Sequence, residues 1–304
     1  MPYSTLLQVA ACFLLSVLFV PYSHALSQDF MSGVEVIKNV AYGHDSDKQI
    51  LDIYKPFNAQ HAPVIFMVHG GAWRVGDKSA RSVVDHKVSH WVSKGFVFVS
   101  VNYRMLPEIK PVAQAKDVAA ALAFSQKMAH QWGASPEKFI LMGHSAGAHL
   151  VSLVSTSLHL TSQKIMYPWL GTVALDSAAY NVVDIMRAKK VPRFYKKAFG
   201  KQAEYWKRAS PFYQLSQQAP PFLAVCSSKR KGNSCEQAHY FIQKAVGLGM
   251  HAQLLAVDYS HRKINTALGK NARYTRSIDN FLVQLDPSIA LRLSNDRKRL
   301  RKSK

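Results

Sequence analysis

The sequence predicts an α/β domain with a mainly parallel sheet and helices on both faces. Three observations carry this. Short apolar runs, such as residues 64–68, 96–101 (broken only by Ser100) and 139–142, read as strands buried on both faces. They alternate with helix-compatible segments, the order that parallel strands joined by crossover helices require. The chain has 304 residues at 48% hydrophobic content, enough for one large core.

Residues 34–42 and 49–54 read as two opening strands around a Gly-His-Asp-Ser turn. Residues 64–68 follow as a buried strand. A helix is expected near 79–94, with Val84, Val88, Trp91 and Val92 on one face and Gly95 at its end. The strand 96–101 precedes a long helix opened by Pro111 and reaching about His130. After the strand 139–142 comes an apolar helix from Ala148 on. Strands at 172–175, 222–225 and 252–257, with helices near 236–246 and 273–285, complete the alternation. Residues 184–213 break it and form a candidate cap.

The ends of the chain differ from its middle. Residues 6–20 are apolar and uncharged, and Ser23-His24-Ala25 is a small-x-small pattern suited to cleavage after Ala25. Residues 1–25 therefore read as a signal peptide, although residues 1–5 carry no Lys or Arg; an uncleaved anchor is the alternative. The domain is expected over 26–290 and a basic tail over 291–304. Cys12 would leave with the leader. Cys226 and Cys235 remain as an even pair in an exported chain, where a disulfide is expected. No second Cys or His pair stands at zinc-ligand spacing, so no metal is expected.

The net charge is +21. Nine basic residues against Glu204 alone fall between Arg187 and Arg208, and seven against Asp296 alone between Arg292 and Lys304. Such density suits anionic lipid or acidic glycan. Nucleic acid is not expected as a partner of an exported chain without a nucleic-acid motif. The tail reads as solvated. Phe194, Tyr195, Phe199, Tyr205 and Trp206, interleaved with the first cluster, imply a packed segment instead.

Chemistry concentrates at Gly143-His144-Ser145-Ala146-Gly147. This G-x-S-x-G sits between an apolar strand and a helix, where a sharp turn lifts a serine hydroxyl above a sheet. Chance alone gives such a pentapeptide in roughly one chain in ten of this length, so the flanking residues decide. Ser145 is the candidate nucleophile and needs a base within hydrogen-bond reach. His261 is the best base, because it follows the last strand and obeys the order serine, acid, histidine. His144, in the x position, is poorly placed for Ser145. His86 and His90 lie four apart on a helix but lack the glutamate of a zincin motif. The Gly70-Gly71 pair follows the 64–68 strand, and with Ala146 its backbone N–H groups would form an oxyanion hole.

These segments together resemble α/β-hydrolase esterases of the hormone-sensitive-lipase-like and kynurenine-formamidase-like group. His69-Gly70-Gly71-Ala72-Trp73 is similar to that group's HGG-x-W segment, and Asn102-Tyr103-Arg104-Met105-Leu106-Pro107-Glu108 to its D-Y-R-L-x-P-E segment. Residues 112–122 resemble the helix that follows, 143–150 the elbow, and Trp206-Lys207-Arg208-Ala209-Ser210-Pro211 its post-cap W-x-x-A-S-P. Ser260-His261 fits the base region. The resemblance covers roughly residues 34–285. It implies an α/β-hydrolase fold and carboxylester hydrolysis through an acyl-enzyme without a cofactor.

The acid departs from the group's pattern. Relatives carry G-x-x-D just after the strand before the last; here the register puts Arg230 where the aspartate would be. Three carboxylates could substitute. Asp176, at the end of the 172–175 strand, is preferred; Glu236, beside Cys235, and Asp258, near His261, remain open. The resulting expectation is a serine carboxylesterase for small or medium acyl esters. Aryl-formamide or peptide hydrolysis at the same site passes through the same kind of intermediate and is one alternative. A retired hydrolase scaffold that binds anionic envelope components is the other.

Overall fold

A computed structural model describes residues 33–302 except 45–46, 158–159, 161–166, 231 and 233, with side chains described to residue 294. The leader expected over 1–25, Cys12 included, lies outside the described residues. The strands are β1 (Val34–Ala41), β2 (Ile50–Pro56), β3 (Ala62–Val68), β4 (Val97–Val101), β5 (Ala134–His144), β6 (Gly171–Leu175), β7 (Phe222–Ser227) and β8 (Ala252–Val257). They form one sheet in the order β1-β2-β4-β3-β5-β6-β7-β8. The β1–β2 and β2–β4 pairs are antiparallel. Every later pair is parallel. The expected α/β-hydrolase sheet is thus present, with helices on both faces.

The helices that matter for the site are α1 (Arg81–Val92), α2 (Pro111–Met128) and α3 (Ala146–Thr156). After them come α4 (Val182–Arg187), α5 (Arg193–Phe199), α6 (Ala203–Arg208), α7 (Pro211–Gln214) and α8 (Ser234–Gly247). The chain closes with α9 (His261–Thr266), α10 (Ala272–Leu282) and α11 (Pro287–Lys302). Pro111 opens α2 as expected, since its missing N–H costs nothing at the first helical position. The helix gives way to a 3-10 turn, Ala129–Trp132, which Gly133 ends at φ 70°.

β3 is buried along its whole length. Val64, Phe66 and Val68 join one core cluster with Val118, Ala119 and Leu122 of α2. A second cluster packs Phe222 and Ala224 of β7 on Ala238 and Phe241 of α8. Burying the valine, leucine and phenylalanine side chains contributes about 1.5–3 kcal/mol each.

The segment 182–214 carries four short helices, α4 to α7, in place of the strand–helix alternation. Its basic side chains are exposed, while Tyr195 and Phe199 are buried. At the C-terminus the first described residues of the expected basic tail, 291–294, pack on the domain through Arg292 and Leu293. α11 crosses its expected start, and Ile289 and Leu293, four residues apart on one face, are buried. Arg292 donates to the Gly95 and Gln60 carbonyls, each at 3.0 Å. The density of basic residues hid this short apolar stripe.

Candidate active site

Four loops meet at the carboxyl ends of the parallel strands, the edge where open α/β sheets place their sites. They follow β3, β5, β6 and β7, and the loop after β8 joins them. The ladder extends past the strand ends: Ser145 N–H donates to the Leu175 carbonyl, Asp176 N–H to Val225, and Ser228 N–H to Val257. Consecutive loops are thereby held side by side.

Ser145 sits between β5 and α3 at φ 56°, ψ −116°, a conformation that costs on the order of 1–3 kcal/mol for a residue with a Cβ. Close packing enforces it. A Cβ on Gly143 would lie 2.4 Å from the Gly147 carbonyl oxygen, and one on Gly147 would lie 2.2 Å from that of Val68. Both glycines of the pentapeptide are therefore demanded by contact.

Ser145 Oγ lies 2.9 Å from His261 Nε2, and His261 Nδ1 lies 2.5 Å from Asp176 Oδ2. Asp176 is fully buried. Its other oxygen accepts the Ser227 N–H at 2.9 Å. Burial alone would raise this carboxyl; the bonds from His261 and Ser227 and the Arg230 guanidinium outweigh it and hold it below the usual carboxylate range. With Nδ1–H committed to Asp176, Nε2 is left to accept a proton from Ser145, the arrangement a general base needs.

The other two carboxylates stand elsewhere. Asp258 is exposed and pairs with Lys229 at 3.1 Å, and Glu236 is exposed in the first turn of α8. Cys226 and Cys235 form a disulfide that ties β7 to α8 across the loop carrying Arg230. His86 is exposed, and His90 contacts Asp279 at 2.9 Å.

A cavity of about 390 Å³ opens over Ser145, lined in part by Gly71, Ala72, Trp73, Ala146 and Tyr195. Of the three residues expected to form an anion hole, Gly71 and Ala146 border it. Gly70 packs underneath, where a Cβ would come within 2.8 Å of the His144 carbonyl oxygen and 3.0 Å of Ser145 Cβ. Ala72, the x of the HGG-x-W segment, forms a further part of the wall at φ 52°.

The 69–73 loop is braced from three directions. Tyr103 stacks on His69 with ring centroids 4.6 Å apart. Leu106 N–H and the Gln114 side-chain amide both donate to the Trp73 carbonyl at 2.9 Å. Asn102 receives the Lys78 N–H at 2.6 Å and donates to Asp77 at 2.8 Å. Arg104 pairs with Asp117 of α2 at 2.7 Å. The 102–108 segment thus supports the loop instead of touching the reacting centre.

Two histidines have roles that sequence reasoning missed. His144 donates from Nε2 to the His261 carbonyl at 3.0 Å and so anchors the base's backbone. Desolvation and the neighbouring His261 push its imidazole down to about 3. His149 accepts the Trp73 indole N–H on Nδ1 at 3.1 Å and donates from Nε2 to the Ala209 carbonyl at 2.8 Å. It joins the 69–73 loop, α3 and the end of α6, and burial pushes its imidazole down to about 4. Its place one helical turn after Ser145 was the available signal. Over this junction Phe199 packs edge-on to Trp73 at 5.0 Å.

Comparison with known proteins bears on the family and the fold. The family model described as BD-FAE matches residues 51–244. Esterase LipQ of Mycobacterium tuberculosis (strain ATCC 25618 / H37Rv) is 28% identical over 205 residues, covering 63% of this chain and 48% of LipQ. Esterase LipC of the same organism is 25% identical over 225 residues, covering 68% and 54%. This chain therefore spans about half the length of these curated relatives. Esterase B from Lactobacillus rhamnosis shares the fold, with a TM-score of 0.69 at 19% identity over 88% of this chain and 89% of that one. So does a truncated carbohydrate esterase from gut microbiota, at 0.69 and 20% identity over 82% and 96%. The resemblance carried by the sequence motifs is borne out, and with well over half its length matched this chain belongs to the BD-FAE family, on an α/β-hydrolase fold.

Proposed function

We propose that this protein is a serine carboxylesterase acting on small or medium acyl esters, with Ser145, His261 and Asp176 as its catalytic residues. The observation that carries the reading is the continuous contact from Ser145 Oγ through His261 to the buried Asp176 carboxylate, at 2.9 and 2.5 Å. The esterase names of the relatives LipQ and LipC support it. Ser145 Oγ attacks the ester carbonyl carbon while His261 Nε2 takes its proton. Backbone N–H groups of Gly71 and Ala146, with Gly70 beside them, stabilise the oxyanion. The proton passes to the leaving alcohol as the C–O bond breaks. Water then hydrolyses the acyl-enzyme by the same steps. A cavity of about 390 Å³ suits a short or medium acyl group.

The retired-scaffold alternative drew on a missing acid and on the strong basic charge, and Asp176 beside His261 weakens the first of these reasons. The test is Ser145→Ala. Hydrolysis of 4-nitrophenyl acetate should fall to background, and the wild type should take a fluorophosphonate label on Ser145. Wild-type turnover by Ser145→Ala would reject the mechanism.

We further propose export, supported by the disulfide, and contact of the exposed basic 187–208 surface with anionic envelope lipid or glycan. Cell fractionation should place a chain starting at Leu26 outside the cytoplasm, released from the envelope by salt. Retention of the Met1 form in the cytoplasm would overturn this.

A further inference from the structure

Arg230 occupies the place where relatives were expected to carry the acid, and it remains at the centre of the site. Its Nη1 donates to the Asp176 backbone carbonyl at 3.1 Å and to Asp176 Oδ2 at 3.2 Å. The same nitrogen lies 3.3 Å from His261 Nδ1. Because Nδ1–H is itself given to Asp176, the two nitrogens are donors sharing one carboxylate. A guanidinium has five N–H donors in a planar fork. Among the described residues, Nη2 and Nε have no hydrogen-bond partner.

Arg230 lines the cavity over Ser145 and also an adjoining cavity of about 580 Å³. The two cavities share Ala178, Phe194, Tyr195 and Arg230. The shared wall is therefore apolar apart from the Tyr195 hydroxyl and one guanidinium, which is 23% exposed. Donors held against apolar neighbours gain most from an anion that accepts two of them at once. Elsewhere in the second cavity the balance changes, because Asp184 and Glu236 line it alongside Lys190. An anion is accordingly expected at the shared wall. His261 contacts both Arg230 Nη1, at 3.3 Å, and Ser145 Oγ, at 2.9 Å, so the spacer between anion and scissile ester must be short.

We propose that Arg230 forms an anion subsite beside Ser145, and that this protein prefers esters carrying a carboxylate close to the scissile bond. This rests on the esterase reading above. It assigns Arg230 a binding role that the lost aspartate position could not have had.

Two matched ester pairs test it in a pH-stat assay on the purified full chain. Monoethyl succinate against ethyl butyrate places the charge on the acyl side. The 4-acetoxybenzoate anion against its methyl ester places it on the alcohol side. The wild type should favour the charged member of one pair, which identifies the side. In Arg230→Gln the charged-to-neutral ratio of kcat/KM for that pair should fall roughly tenfold or more, mainly through KM. Arg230→Lys should recover part of it, and it carries the test if the glutamine variant is insoluble. If Arg230 only positions Asp176 and His261, both members of each pair lose rate equally and the ratios stay within about twofold, which overturns the proposal. If the wild type hydrolyses none of the four esters, the esterase reading fails, and the inference with it.

Discussion

Replacing Asp176 with asparagine isolates the step on which the proposed mechanism depends. The carboxylate is fully buried, with Oδ1 on the Ser227 N–H and Oδ2 on His261 Nδ1 and Arg230 Nη1. An asparagine keeping the Ser227 bond must turn its NH2 toward His261 and Arg230. That NH2 can only donate, so His261 must present a bare Nδ1 and carry its proton on Nε2. The base then faces Ser145 with the wrong tautomer, while the distances stay nearly the same. A tautomer error of this kind costs about 10⁴ in kcat, or about 5.4 kcal/mol at 1.36 kcal/mol per tenfold. The assay is steady-state hydrolysis of 4-nitrophenyl acetate, with Ser145→Ala as the floor and thermal melting to confirm folding. Asp176→Asn retaining activity within tenfold of wild type would refute the assignment. Glu236→Gln and Asp258→Asn, at exposed positions away from His261, should stay close to wild type in the same assay.

Two further predictions concern the support of the site. Gly147→Ala should unfold or inactivate the chain, because its Cβ would meet the Val68 and His69 carbonyl oxygens at 2.2 and 2.5 Å, and backbone must move; a melting curve and turnover matching wild type would contradict this. His144 and His149, held neutral with values pushed down to about 3 and 4, take up protons in the unfolded chain first. Stability should therefore be complete above about pH 6.5 and decline as pH falls from there toward 4. Asp176, held low in the fold, acts in the same direction at lower pH. His149→Gln keeps one donor and one acceptor without titrating and should flatten the slope; a wild-type melting temperature constant from pH 6.5 to 4 would contradict the account.

Local residue chemistry made the elbow legible. Gly143 and Gly147 flank Ser145 because no other residue fits those contacts, and a strand and a helix on either side are readable from apolar runs. His261 was readable because it follows the last strand, and strand order can be counted. Asp176 was harder. Its strand was visible, yet choosing it over Glu236 and Asp258 needed the distance between loops that are 85 residues apart in sequence. Arg230 was noticed only as an absence, since sequence register shows which residue replaces another but not where its side chain points. His149 was passed over inside an apolar helix, although its two partners come from Trp73 and Ala209, both distant in the chain.

The sequence by itself therefore determined the sheet-and-helix alternation, the strained turn at Ser145, the Gly70-Gly71 loop and the place of His261 after the last strand. Each depends on residue type and short-range spacing. Tertiary structure alone decided that Asp176 accepts from His261, that Arg230 joins them at the wall of two cavities, and that Ile289, Arg292 and Leu293 dock the start of the last helix. Those outcomes depend on which strand ends lie side by side, and the strand order β3-β5-β6-β7-β8 sets this only once the whole sheet has assembled.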